Sequence, residues 1–187
     1  MTARFLMIVF DSVYLVALTA WVGSVLFLSF GVAPIIFTAL GPESAGKFVR
    51  ALFPRYYQWG VISGAVALPA AMAVPLAFPD DLRGPWVGVQ ALAIIAGILI
   101  TLYAGNVLTP QINAARDAGP EGQARFERLH QRSVWLNGLV LVLGLALLVG
   151  FAARPKPRSS GIIEPGPAER AAAEADYLKK GPTPNRR

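Results

Sequence analysis

Long apolar runs separated by more polar intervals dominate the first 152 positions of the chain. Four of them, at about 5–33, 58–78, 85–108 and 133–151, are long enough to cross a bilayer as helices. Crossing a hydrocarbon core of about 30 Å takes roughly 20 apolar residues in helical form. Three runs carry no charge; the first holds Asp11, which its extra length can leave near the membrane surface. That first run far exceeds the roughly 7–15 apolar residues of a signal-peptide core. Only Arg4 stands before it as a basic residue, so it reads as an uncleaved span. The pattern predicts an all-α integral membrane four-helix bundle.

Small residues recur inside these runs at helical spacing. Ala93, Gly97, Thr101 and Gly105 form a ridge in the third, Gly60 and Gly64 a pair in the second, and Ala20, Ser24 and Gly31 share a face of the first. In lipid no hydrophobic effect draws helices together, and small residues allow close packing instead. Pro69 and Pro75 are expected to kink the second span, since proline removes a donor and crowds the preceding turn.

The connections are unequal. Residues 79–85 make a tight hairpin, whereas 34–57 and 109–132 are long and fall on the opposite membrane side. Each long connection contains a helical pattern opened by Gly-Pro-Glu, at Gly41-Pro42-Glu43 and Gly119-Pro120-Glu121; proline and glutamate both suit a helix start. Ala45, Phe48, Leu52 and Phe53 form an apolar stripe in the first, away from Lys47 and Arg50. Arg125, Arg128 and Arg132 share a face in the second. Both segments are therefore expected as amphipathic, basic helices lying at the interface, with Pro34 and Pro110 ending the preceding spans. A shift of 78 residues pairs Gly41, Pro42, Glu43, Phe48, Arg50 and Gly60 with Gly119, Pro120, Glu121, Phe126, Arg128 and Gly138. This suggests two parallel-related repeats of span, amphipathic helix and span.

Composition sharpens the picture. The chain is 55% hydrophobic and 15% charged, below the quarter or so of charged residues usual in soluble domains. Its net charge of +6 is not read as a nucleic-acid footprint, because the basic residues flank the spans, where membrane lipids are the simpler partners. Cysteine is absent, which excludes disulfides and thiolate sites. Residues 153–187 are polar and proline-rich, with too few large apolar side chains for a core; within them 167–180 reads as a short helix that could dock on a partner. Basic residues divide almost evenly between the two sides. Translocating so polar a tail would be costly, which favours cytoplasmic termini.

One polar stripe carries the candidate chemistry. His130, Ser133 and Asn137 point the same way as the chain enters the fourth span, and Asn106, Tyr14 and Asp11 in other spans could meet them. Polar groups at membrane depth often mark a site, but equally serve as interhelical hydrogen bonds. Catalysis finds little support: a single histidine, no carboxylate pair within the spans, and no zinc-protease, phosphate-loop or nucleophile-elbow motif. No cofactor, metal or enzymatic activity is expected.

Several of these residues resemble a known family. Trp21-Val22-Gly23, Val32-Ala33-Pro34, Phe53-Pro54-Arg55-Tyr56-Tyr57, and Leu129-His130 with Ser133 and Asn137 occur in order. The arrangement resembles a bacterial four-helix membrane family of unknown function related to eukaryotic transmembrane protein 205, over roughly residues 10–150. The resemblance implies a small multi-pass protein of the bacterial inner membrane and adds Tyr56 and Tyr57 to the candidate site. Two functions stay open. The bundle binds or moves a small molecule or ion through the polar stripe around His130. Alternatively it is a structural accessory subunit, or forms a homo-oligomer, docking through its small-residue faces and its tail.

Overall fold

A computed structural model describes residues 2–77 and 85–154, together with Ala171 and Ala175. The 79–84 turn and nearly all of the 167–180 segment lie outside the described residues. Contacts divide the chain into two units, residues Met1–Pro155 and Lys156–Arg187, and all the long helices belong to the first.

Four helices are long and apolar enough to cross a membrane: Phe5–Ile36, Pro42–Ala77, Trp86–Asp117 and Gly119–Ala153. The first packs against the second and fourth, and the third likewise, closing an up-and-down ring. Large side chains point outward as well as inward. Val16, Phe27, Phe30, Leu92 and Val149 are mostly exposed, while Tyr14, Leu18, Trp21, Ala67 and Ile94 form the core. An outward apolar surface on all four helices suits lipid, not water. Several serine and threonine hydroxyls on these helices return to the backbone, as in Ser12 to the carbonyl of Ile8 at 2.7 Å and Thr101 to that of Gly97 at 2.8 Å.

The basic connections differ from expectation. The 42–57 segment is not a separate interfacial helix: it runs without a break into the second span, so Pro42–Ala77 is one 36-residue helix. On the same side, Thr109–Asp117 prolongs the third helix, and Gln123–Ala153 carries 123–132 directly into the fourth. The amphipathic pattern and the apolar span share one helical period, so nothing in the backbone forces a joint between them. A 36-residue helix is about 54 Å long, well beyond the hydrocarbon core, so its basic end projects past the bilayer. Three prolines, Pro54, Pro69 and Pro75, are carried inside it.

Pro34 and Pro110 do not end helices either. Each is preceded by a stretch of π-helix, Phe27–Val32 and Ala104–Leu108, that stops two residues before the proline. A proline ring collides with the carbonyl four residues back, and widening the register relieves the clash. The wider register is visible directly: the Ala33 amide bonds the carbonyl of Leu28, and the Thr109 amide that of Ala104. The Thr109 hydroxyl reaches the same Ala104 carbonyl at 2.8 Å. The third and fourth helices then join through Gly119, whose φ of +63° only glycine adopts without strain.

Inside the ring the glycines make room for rings, not for backbone contact. A Cβ added at Gly60, Gly64 or Gly97 would stand 3.1, 2.9 or 2.8 Å from the indole of Trp21. Gly105 makes room for Tyr57, whose Cβ and ring Cγ would stand 2.9 and 3.2 Å from an added Cβ. Ala93 lines, with Trp21 and Gly97, a residual cavity of only about 10 Å³.

Candidate functional site

The two tyrosines lie where the second helix leaves the apolar zone, between Pro54 and Gly60. Being adjacent, they diverge by about 100° and reach two groups one turn apart on the fourth helix. Tyr56 Oη donates to Asn137 Oδ1 at 2.6 Å, and Tyr57 Oη lies 3.4 Å from Ser133 Oγ. Phe53 stacks on Tyr57, with centroids 5.7 Å apart, and the two tyrosines meet edge to face at 5.0 Å. Four of the candidate residues thus come together as an aromatic, hydrogen-bonded layer across the bundle.

The remaining candidates do not join it. His130 is exposed; its ring lies parallel on Phe126 at 5.7 Å, and the Arg116 guanidinium sits 5.0 Å from the Phe126 centroid. Asn106 is exposed within the second π segment. The expectation that Asp11 and Tyr14 could meet the stripe is corrected. Both belong to the other end of the bundle, because the fourth helix carries its partner groups there, some 20 residues or about 30 Å beyond the stripe. Asp11 accepts both guanidinium nitrogens of Arg154, that from Nη1 to Oδ1 measuring 2.8 Å. Arg154 also covers the Phe151 ring, 4.0 Å from its centroid. Tyr14 is 1% exposed and packs on Phe151 at 5.5 Å. Its hydroxyl has no hydrogen-bond partner among the described residues. In the sequence Arg154 reads as part of the basic tail cluster, and no local signal ties it to a residue 143 positions away.

On the projecting side, Lys47 pairs with Glu43 at 2.7 Å and Arg50 with Asp117 at 2.6 Å, all exposed. Arg132 lies 5.2 Å from the centroid of Tyr103, and Arg125 and Arg128 are exposed. Among the described residues no three His, Asp or Glu side chains gather as a metal-ligand set.

These features define a multi-pass helical membrane protein whose interior is closed by its own side chains. The family model for a domain of unknown function, DUF4149, matches residues 16–121, more than half of the chain, and the chain belongs to that family. The match takes in Trp21, Tyr56 and Tyr57, while the partners Ser133 and Asn137 lie beyond it. No curated protein and no solved structure matches the chain.

Proposed function

We propose that this chain is a non-catalytic, structural membrane subunit, a bundle that serves another membrane protein through its outer helix faces. The observation that supports this reading is the filling of the interior at three depths. Tyr56 and Tyr57 bridge to Asn137 and Ser133 at one end, Trp21 occupies the glycine-lined middle, and Asp11 with Arg154 closes the other. A carrier built around a central path would keep polar groups free along it. Here the polar side chains at the two ends bond one another, the Tyr14 hydroxyl being the exception, and the cavity beside Trp21 is about the size needed for one water.

The small residues expected to pack helix on helix, Ala93, Gly97, Gly105, Gly60 and Gly64, lie inside the bundle and leave little for a partner to grip. The outer face of the first helix offers others: Ser12, Thr19 and Gly23 are exposed, and open space surrounds the position a Cβ would take at Gly23. Thr19 and Gly23, four residues apart, make a shallow groove of the kind another helix can enter. The kinship with transmembrane protein 205, an inner-membrane location and cytoplasmic termini belong to the same proposal and rest on the motif resemblance and the polar tail.

Extraction in mild detergent followed by mass analysis tests it. The chain has no native cysteine, so Thr19→Cys and Gly23→Cys give single crosslinking sites. Recovery in a larger assembly, with crosslinks from these positions to a second polypeptide, is expected. A single free chain, crosslinked to nothing at either position, would overturn the reading. A second reading, binding of a small molecule or ion near the stripe, is favoured by one observation: the exposed His130 imidazole. It requires a ligand-dependent rise in melting temperature that His130→Ala abolishes.

A further inference from the structure

The fourth helix turns an unusual face outward. At spacings of three and four, Arg125, Arg128, Arg132, Trp135, Leu139 and Val142 form one stripe running from the projecting end into the bilayer zone. The lower part is lipid-facing: Trp135 is 73% exposed and Val142 62%. Tryptophan at such a transition is the usual marker of the boundary between hydrocarbon and headgroups. Arg132 and Arg128 then stand about 5 and 10 Å above that boundary at 1.5 Å per residue, against a headgroup layer of roughly 5–7 Å a side. Helical side chains lean towards the N-terminus, which here carries the guanidinium groups further outward, into and just above the phosphate level.

Carboxylates do not neutralise this stripe. Glu43 is taken by Lys47 and Asp117 by Arg50, while Glu121 and Glu127 form no ion pair with the stripe and Glu127 accepts the Gln123 amide at 2.8 Å. Among the described residues Arg125, Arg128 and Arg132 make no ion pair. Arg132 is steadied instead by the Tyr103 ring, which leaves its donors unspent. A planar guanidinium suits bidentate contact with phosphate.

We propose that this face binds the headgroup of an anionic phospholipid, with Arg128 and Arg132 on the phosphate, Arg125 at the rim and the acyl chains along Trp135, Leu139 and Val142. The proposal does not depend on the subunit role inferred above, because it concerns a different helix face.

Trp135 is its own reporter. A variant with Trp59→Phe and Trp86→Phe keeps two indoles, the exposed Trp135 and the buried Trp21. It would be reconstituted in phosphatidylcholine vesicles containing phosphatidylglycerol, with bromine on the acyl chains of one lipid or the other. Brominated phosphatidylglycerol should quench Trp135 as though enriched at least about fivefold beside it, the factor that corresponds to the roughly 1 kcal/mol of a single interfacial arginine. Replacing all three arginines by glutamine should bring that ratio to about one. The lysine triple variant, which keeps the charge but loses the bidentate fork, should fall between the two, and Arg50→Gln should leave the ratio unchanged. Equal quenching by the two lipids in the starting protein would overturn the proposal. So would a preference that survives the glutamine triple variant.

Discussion

Gly97→Ala is the sharpest test of how the bundle is filled. The added methyl would stand 2.8 Å from Cη2 and 3.2 Å from Cζ2 of Trp21, where ordinary contacts begin near 3.4 Å. The indole cannot retreat freely, because its other edges pack against the second helix at Gly64 and Gly60, where an added Cβ would lie only 2.9 and 3.1 Å away. Overpacking of this kind costs about 1–3 kcal/mol, and the better helix propensity of alanine returns up to about 1 kcal/mol. The net expectation is a loss of about 1 kcal/mol. In a Trp21→Phe background the benzo edge that makes the clash is gone, so the same Gly97→Ala change should become neutral or stabilising. That reversal amounts to a coupling of about 2 kcal/mol, within the range seen for touching residues. Reversible unfolding in mixed micelles, followed by circular dichroism, would measure all four corners of the cycle. If the two losses simply add, Trp21 does not occupy the space in front of Gly97 and the packing argument fails.

Other outcomes are expected from the same contacts. Asp11→Asn and Arg154→Gln should each cost about 1.5–3 kcal/mol, the scale of a hydrogen bond to a charged group, and the exchanged pair Asp11→Arg with Arg154→Asp should recover part of it in the same unfolding assay. Tyr56→Phe should cost about 0.6–1.7 kcal/mol, as interhelical hydrogen bonds in membranes do; Tyr57→Phe should cost less, because its contact with Ser133 is longer. Arg50→Ala should change stability by no more than about 1 kcal/mol, since exposed ion pairs contribute little. Cysteines at Lys47 and Arg128 should be labelled by a membrane-impermeant maleimide from one and the same side; labelling from opposite sides would contradict the shared projection of the second and fourth helices.

Much of this architecture is legible in the chain, and the exceptions have physical causes. Span count and approximate position follow from apolar length alone, which is why all four survive. The glycine positions are also legible, but not their purpose: Gly60 and Gly64 lie on one helix and Gly97 on another, and only the folded ring brings them around a single Trp21. The connections mislead because proline normally stops a helix. At Pro34 and Pro110 a π turn absorbs the missing donor instead, and at Pro54 the helix simply continues. Ser133 and Asn137 are grouped by their spacing of four, and Tyr56 and Tyr57 by motif, yet nothing in the sequence pairs one set with the other. His130 differs: its angular position on the helix matches theirs, but its ring stacks on Phe126, beside Arg116, and does not join the tyrosine layer.

The unbroken fourth helix has a mechanical consequence. No proline interrupts Gln123–Ala153, so its buried and projecting parts turn as one lever about the middle of the membrane. Gln123 stands about 28 Å above Val142, at 1.5 Å per residue. A tilt of about 10° would therefore sweep that tip sideways through about 5 Å, and would carry the arginine stripe along the bilayer surface. Bilayer thickness, or a neighbouring protein leaning on the helix, would in this way be converted into a displacement outside the membrane.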